Sequence, residues 1–269
     1  MSTAVTADGT GAAQSEVLLA RPAKGIALVT LNRPARRNAL TRQLLDRLLQ
    51  VLADLRDEAD RGDLRAVVLT GAGSAFCAGL DLDEVAASGP PDVRRWDVVS
   101  ALTTLGVPVV AAVNGPAVTG GLEIALGCDF RIAGESARFA DTHARVGVVP
   151  GWGLTARLPL AVGHGWARQM SATGDYVDAR TAVRIGLANE VVPDSELLPR
   201  ALAVASSIAE VDRQVLATVR DLYDQGAREG SAAALAGERA VWEDGGAAAG
   251  ALPVAATREA VIARGRSQV

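Results

Sequence analysis

Two segments of the chain share one pattern, in which an apolar strand runs into a glycine-rich turn and a helix follows. In the first segment, residues 65–70 precede a turn at 71–79. In the second, residues 107–113 precede a turn that ends in Gly120 and Gly121. Such turns present backbone N–H groups that lack intrahelical partners, and a helix start adds partial positive charge. Each segment can therefore hold an oxyanion, and the pair predicts an α/β core.

The remaining elements agree with this fold class. Short apolar runs predict strands at 25–31, 129–132 and 137–139. Leucines that recur every three or four residues after Thr41 predict a helix with Thr41 as its N-cap. Beyond Gly153 the pattern is almost continuously helical, and we expect helices at 154–158, 163–171, 179–185, 195–209, 211–225 and 229–243.

Composition excludes several classes of protein. The 269 residues are 49% hydrophobic and 22% charged, a globular balance, and no apolar run approaches the roughly 18 residues of a membrane span. The net charge is -4 and Lys24 is the only lysine, so we expect no nucleic-acid partner, and an anionic ligand needs a local site. Cys77 and Cys128 suggest neither a zinc site nor a disulfide framework, which favours a cytoplasmic protein without a metal. Residues 1–14 lack a signal-peptide pattern and are expected to form a disordered tail.

Glu123 follows Gly120 and Gly121 in the first turn of the second predicted helix. The helix dipole alone favours a carboxylate at such a position. Beside two sets of backbone donors, however, the same carboxylate completes the groups needed to stabilise a thioester enolate. The first turn has neither the Gly-Lys-Ser/Thr ending of a P-loop nor the glycine spacing of a dinucleotide fingerprint.

Four sequence blocks resemble the crotonase superfamily, and most of all its enoyl-CoA hydratases. They are VTLNRP with NAL within 29–40, GAGSAFCAGLDL at 71–82, the segment 112–129, and RFA at 138–140 followed by Gly147 and Pro150-Gly151. The blocks stand in family order across about residues 25–192, so their combination is highly specific. The resemblance implies a spiral of repeated ββα units at 15–192. It also implies a helical region at 193–269 that assembles subunits into a homotrimer or a dimer of trimers.

The resemblance further implies an acyl-CoA site. The N–H groups of Leu80 and Gly120 would form an oxyanion hole around the thioester oxygen, with Glu123 as a catalytic carboxylate. Coenzyme A is part of the substrate, so no separate cofactor is expected. The residues expected to touch the substrate are Arg36 or Arg37, Ala39, Ala78 through its carbonyl, Asp81 and Leu82, with Trp152 in the acyl pocket.

One position departs from the family pattern. Aligning Phe139 and Gly147 without a gap puts His143 where hydratases have their second catalytic glutamate. Imidazole has an ordinary pKa near 6.5 and both donates and accepts hydrogen bonds, so His143 could supply the second acid–base group or orient the water. Alternatively, His143 only hydrogen-bonds a neighbouring loop. Asp141 is either a helix cap or a partner that tunes His143.

We therefore expect an enzyme that adds water to a trans-2-enoyl-CoA, with Glu123 and His143 as its catalytic pair. A double-bond isomerase is the nearest alternative, because one carboxylate can move a proton between two carbons. A non-catalytic acyl-CoA binder is a second alternative, because the second glutamate is missing. A serine hydrolase is disfavoured, because no serine near Glu123 lies in a nucleophile-presenting turn.

Overall fold

A computed structural model describes residues 15–230 and the isolated positions 236 and 240. The expected tail at 1–14 and most of the expected helix at 229–243 lie outside the described residues. In the part that is described, the strands are β1 (Val17–Ala23), β2 (Ile26–Leu31), β3 (Ala66–Gly71), β4 (Val109–Val113), β5 (Pro116–Val118), β6 (Phe130–Gly134), β7 (Arg138–Ala140), β8 (Val177–Asp178) and β9 (Glu190–Val192).

The helices of the same part alternate with these strands. They are α1 (Arg42–Arg61), α2 (Leu82–Ser88), α3 (Val98–Thr103), α4 (Gly120–Gly127), α5 (His143–Val146), α6 (Leu154–Thr173), α7 (Ala179–Arg184), α8 (Leu197–Ala209) and α9 (Arg213–Glu229). Thr41 caps α1 as predicted, since its Oγ1 accepts a hydrogen bond from the Leu44 N–H at 3.1 Å. Over the described residues, no helix is both long and apolar enough to cross a membrane.

The strands form two sheets. The larger sheet has the order β1-β2-β3-β4-β6-β9 and is parallel except for β1, which pairs antiparallel with β2. The smaller sheet has the order β5-β7-β8, with β5 and β7 parallel. Every residue of β3 and β4 is buried, which is typical of parallel strands that are covered on both faces.

The chain winds between the two sheets in repeated steps. Strand β4 leads through β5 into α4, and β6 leads through β7 into α5. Strand β3 makes a similar step, because Cys77 pairs with Ala117 of β5 before α2 begins. Ala117 in turn pairs with Phe139 of β7. This winding is the expected spiral of ββα units, and the pairing places the turns that follow the three steps next to one another.

Helices cover the larger sheet with apolar side chains. The buried face of α1 is formed by Leu44, Leu45, Leu48, Val51, Leu52, Leu55 and Ala59, which belong to the main core. Helix α8 contributes Leu197, Ala201 and Ala205 to a second apolar cluster, together with side chains of β2, β3, β4 and β6. The sheet that positions the site is therefore rigidly held by packing against several helices.

The structure corrects two details of the predicted pattern. The region beyond Gly153 is not continuously helical, because the very short strands β8 and β9 interrupt it, and β9 pairs with β6 at the edge of the larger sheet. The strand predicted at 107–113 begins at Val109, directly after Pro108, which has no N–H to donate. Within α6, Gly163 adopts φ 74° and ψ 160°, so this helix consists of two segments, as predicted.

Candidate active site

Asn38 holds the first glycine loop in place. The Asn38 side chain is buried, and its Nδ2 donates to the carbonyls of Ala72 at 2.9 Å and Ala75 at 2.8 Å. Its φ of 57° is a left-handed conformation that asparagine tolerates better than most residues. The segment before α1 also pairs with this loop, since the Leu40 N–H donates to the Gly79 carbonyl at 2.8 Å. These contacts fix the backbone that leads into α2.

The second glycine loop approaches the first so closely that side chains do not fit between them. A Cβ on Gly121 would lie 2.2 Å from the carbonyl oxygen of Cys77. A Cβ on Gly79 would lie 2.6 Å from the Thr119 Oγ1. The Val118 N–H donates to the Cys77 carbonyl at 3.0 Å. Glycine is therefore required at 79 and 121 by the close approach of two backbones.

Leu80 and Gly120, the two expected oxyanion donors, line the same cavity, which has a volume of about 100 Å³. Across residues 15–230, no backbone carbonyl accepts a hydrogen bond from the N–H of either residue. The two positions are adjacent, because a Cβ on Gly120 would lie 3.8 Å from the Gly79 Cα. From two separate loops, the fold thus brings to one cavity two backbone donors that have no acceptor among the described residues.

The walls of this cavity are mostly apolar. Val85, Val93 and Val148 contribute aliphatic surface, and Trp152 contributes an aromatic ring. The Trp152 side chain is held by a hydrogen bond from its Nε1 to the Val93 carbonyl at 3.3 Å. Pockets with apolar walls and a few convergent polar groups suit small organic ligands. Trp152 therefore forms part of the wall of a cavity that suits a small organic ligand.

Glu123 contributes a buried carboxylate to the cavity. It lies in the first turn of α4 and is 3% exposed. Its Oε1 accepts hydrogen bonds from the N–H groups of Trp152 at 2.8 Å and Leu154 at 3.3 Å. Its Oε2 lies 3.5 Å from the Nε2 of His143. Two backbone donors compensate for the burial of the charge and fix the carboxylate, while Oε2 faces the imidazole.

His143 lies between two carboxylates. It begins α5, is 7% exposed, and its Nδ1 lies 2.6 Å from the Oδ1 of Asp141. Burial opposes protonation of the ring, but the hydrogen bonds and charges of Asp141 and Glu123 outweigh it and raise the pKa of His143 to about 9. Burial likewise opposes ionisation of Asp141, yet hydrogen bonds from His143 and Ser171 hold the pKa of this carboxyl below its ordinary value. At neutral pH the imidazole is a cation, and it can give up a proton.

Asp141 is a partner of the His143 ring and not the N-cap of α5, which is Thr142. Its Oδ1 accepts from the His143 backbone N–H at 3.2 Å and lies 2.6 Å from the imidazole Nδ1. The ring of His143 lies against Glu123 in the cavity rather than against a distant loop. An imidazole and a carboxyl group beside two backbone donors can deliver and withdraw protons on a bound thioester.

The two arginines expected near coenzyme A have different surroundings. The Arg36 guanidinium pairs with Asp83 and lies 3.6 Å from the Asp81 carboxylate, so neighbouring charges compensate it. Arg37 is exposed, and within the described residues its side chain has no ion pair or hydrogen bond. The Arg37 carbonyl accepts from the Ala78 N–H at 3.1 Å, which places this residue beside the first loop. Of the two, Arg37 has the charge available for a phosphate.

The other expected contacts with coenzyme A fall into two groups. Ala78 and the exposed Leu82 line the cavity. Ala39 is buried, and its carbonyl accepts from the Arg33 guanidinium at 2.5 Å. The Asp81 carboxylate caps the start of α2 and pairs with Arg33 at 3.1 Å. The carbonyl of Ala39 and the carboxylate of Asp81 therefore have protein partners in this structure.

Several residues that shape the site, among them Ser171 and Val93, were not predicted from the sequence. Ser171, in α6, donates from its Oγ to the Oδ2 of Asp141 at 2.5 Å, and Val93 forms part of the cavity wall. Neither residue carries a local signal, because each reaches the site only through long-range packing. Cys77, beside the first glycine loop, is free and buried, and burial raises the pKa of its thiol to about 12.

Comparisons with known proteins agree with this geometry. The model of the family described as enoyl-CoA hydratase/isomerase matches residues 21–250. A short-chain-enoyl-CoA hydratase of Clostridium acetobutylicum is 39% identical over 200 residues, which cover 72% of this chain and 75% of the relative. This chain belongs to the enoyl-CoA hydratase/isomerase family.

The similar solved structures include an enoyl-CoA hydratase and an enoyl-CoA isomerase. An enoyl-CoA hydratase of Bacillus anthracis is 34% identical, with a TM-score of 0.76, and the match covers 85% of this chain and 90% of that one. A monofunctional enoyl-CoA isomerase of M. smegmatis is 38% identical, with a TM-score of 0.70, over 81% of this chain and 96% of that one. The overall fold is thus common to hydratases and isomerases, and the acid–base residues must distinguish them.

Proposed function

We propose that the protein is an enoyl-CoA hydratase, which adds water to a trans-2-enoyl-CoA and forms a 3-hydroxyacyl-CoA. The observation that carries this proposal is the meeting of Glu123 and His143 in one cavity with the unpaired N–H groups of Leu80 and Gly120. Hydration needs one group to activate water and another to protonate the α-carbon, while an oxyanion hole holds the developing charge. The cavity provides a candidate for each task.

The positions and chemistry of the two side chains assign the tasks. As general base, the Glu123 carboxylate accepts a proton from water as the water oxygen attacks C3. His143 holds a proton at neutral pH, because its pKa is raised to about 9, and can deliver it to C2. The carbonyl oxygen would accept hydrogen bonds from Leu80 and Gly120 as the thioester takes on enolate character. The proton taken from water by Glu123 then returns to His143, either directly or through solvent, and closes the cycle.

The direct test follows the absorbance of the conjugated enoyl thioester. Wild-type protein should remove this absorbance from a short trans-2-enoyl-CoA, and Glu123→Gln should slow the reaction by about 10²–10⁴-fold, the usual contribution of a general base. Glutamine keeps an oxygen for the Trp152 and Leu154 N–H groups, so the fold should survive. An unchanged rate in Glu123→Gln would contradict the proposed mechanism.

Double-bond isomerisation is the second candidate, because one solved relative is an enoyl-CoA isomerase. This reaction needs only one group to move a proton between C2 and C4, and Glu123 could do so without His143. The two reactions give opposite signals, since isomerisation of a 3-enoyl-CoA creates the conjugated absorbance. A non-catalytic binder would retain acyl-CoA without either change, and His143→Ala would then be silent in both assays.

The proposal extends to coenzyme A, assembly and location. Arg37 would bind the coenzyme A phosphates, and no separate cofactor is needed because protein side chains supply both acid and base.

An exposed apolar stripe on and before α9 supports assembly into a homotrimer or dimer of trimers. Its residues follow at intervals of four and are Val211, Val215, Val219 and Tyr223. Light scattering in solution tests this assembly.

Both cysteines are free and buried, as in proteins of reducing compartments, and we propose a cytoplasmic location.

A further inference from the structure

We propose that Asp141 is a positioning residue, which orients the His143 ring so that Nδ1 is tied to protein and Nε2 is presented to Glu123 and the substrate. This inference rests on the proposed function, because it explains how a histidine can serve where hydratases have a glutamate. Asp141 does not line the cavity and would act only through His143.

The contacts of Asp141 are those of a side chain that orients another. It is 2% exposed, and its Oδ1 accepts from the backbone N–H of His143 and lies 2.6 Å from the ring Nδ1 of the same residue. Its Oδ2 accepts from the Ser171 Oγ at 2.5 Å, which ties the carboxylate to α6. With both oxygens engaged, the carboxylate cannot rotate without losing a buried hydrogen bond. The imidazole is thereby held at a fixed angle.

The two distances around the ring determine which nitrogen keeps its hydrogen. The Nδ1 to Asp141 distance is 2.6 Å, whereas the Nε2 to Glu123 distance is 3.5 Å. When the cationic ring loses one proton, the nitrogen that lies closer to a carboxylate keeps its hydrogen. The neutral ring should therefore carry its hydrogen on Nδ1. The proton that leaves is therefore the one on Nε2, which faces the cavity.

In the part of the chain that the structure describes, two carboxyl groups act on the His143 ring. They belong to Asp141, which precedes α5, and to Glu123 of α4. Ser171 of α6 donates a hydrogen bond to Asp141 and acts on the ring only through that carboxylate. The other charged side chain of α5, Arg145, donates to the Thr173 carbonyl at 2.5 Å instead. The orientation of the imidazole thus depends on Asp141 and Glu123.

Nuclear magnetic resonance of the full chain, with ¹⁵N-labelled histidine, tests this inference without any substrate. The chain has only two histidines, so a His164→Gln variant assigns both rings. In the wild type we expect His143 to titrate near pH 9, and its neutral form to carry hydrogen on Nδ1. A neutral form protonated on Nε2 would overturn the proposal, and this measurement requires no substitution at Asp141.

Asp141→Asn then tests the cause. Removing a carboxylate at this distance should lower the pKa of His143 by about one to three pH units. The matched control is Asp178→Asn, which alters an exposed N-cap of α7 and should leave the His143 titration unchanged. An unchanged pKa in folded Asp141→Asn, or an equal fall in the control, would overturn the proposal.

Kinetics separate this inference from the proposed function. In Asp141→Asn, the loss of hydration rate at high pH should move to lower pH, together with the pKa of His143, and kcat should fall more than KM rises. A uniform loss of activity at all pH values, with the NMR titration unchanged, would indicate a merely structural role and contradict the proposal. If the wild type hydrates no enoyl-CoA, the proposed function fails, while the ring orientation is still decided by NMR.

Discussion

The substitution Gly121→Ala perturbs the contact that brings the two glycine loops together. The added Cβ would lie 2.2 Å from the Cys77 carbonyl oxygen and 2.8 Å from the Cys77 Cβ. Real Cβ atoms essentially never come closer than 3.0 Å, so the loops must separate by about 0.8 Å. Moving either backbone would weaken a hydrogen bond between the loops, because the Cys77 carbonyl accepts from the Val118 N–H at 3.0 Å.

The expected magnitudes follow from this displacement. Overpacking of a buried site costs about 1–3 kcal/mol, and 2 kcal/mol lowers Tm by about 4–8 °C in a chain of this length. Moving one oxyanion donor by nearly 1 Å relative to the other should reduce kcat/KM by about 10²-fold. The larger loss should be in activity, because the substitution separates the loops that carry Leu80 and Gly120.

Thermal unfolding and the absorbance assay measure the two effects on the same protein. Gly165→Ala in α6 is the matched control, because a Cβ there meets nothing within 4 Å. It should leave activity unchanged and raise stability slightly, since alanine is favoured over glycine within helices by about 0.5–1 kcal/mol. If Gly121→Ala has wild-type Tm and kcat/KM, the two loops do not depend on this contact and the reasoning is refuted.

Two further predictions concern the charged groups. Because the pKa of His143 is raised from 6.5 to about 9, kcat should stay constant through neutral pH and fall as the pH passes about 9. The contribution of this group to the free energy of unfolding is complete below pH 6.5 and is lost as the pH rises from 6.5 through about 9. A rate that falls near pH 6.5 would contradict the assignment of His143 as proton donor. Arg37→Gln should raise KM for acyl-CoA by about threefold to tenfold with little change in kcat, whereas Arg36→Gln should change KM less, because Asp81 and Asp83 compensate its charge. Equal effects of the two substitutions, measured by initial rates, would remove the distinction.

The fold could be predicted largely because local patterns and family blocks agreed. Strands β2, β3 and β4 are short apolar runs, and the leucine spacing of α1 has the helical period. Strand β1 was not predicted, because six of its seven residues are exposed and it has no alternation of buried and exposed residues. Strands β8 and β9 were not predicted because segments of two or three residues show no periodicity and their pairing partners are distant in sequence.

The site was only partly predictable for a related reason. Glu123 and the glycines beside it form one continuous motif, so the sequence points to them directly. The tuning of His143 depends on Ser171, which is thirty residues from Asp141, and on the fold that brings Glu123 within 3.5 Å. The hydrogen bond from the Trp152 N–H to Glu123 comes from backbone, which has no residue signature at all. Such contacts appear only when the chain is folded.

The most direct measurement is a crystal structure of Glu123→Gln in complex with a short trans-2-enoyl-CoA. We expect the thioester oxygen to lie about 3 Å from the N–H groups of both Leu80 and Gly120. We also expect C2 to face the His143 Nε2 and C3 to face the side chain at position 123. A thioester oxygen bound by other groups, or an acyl chain lying outside this cavity, would contradict the proposed mechanism.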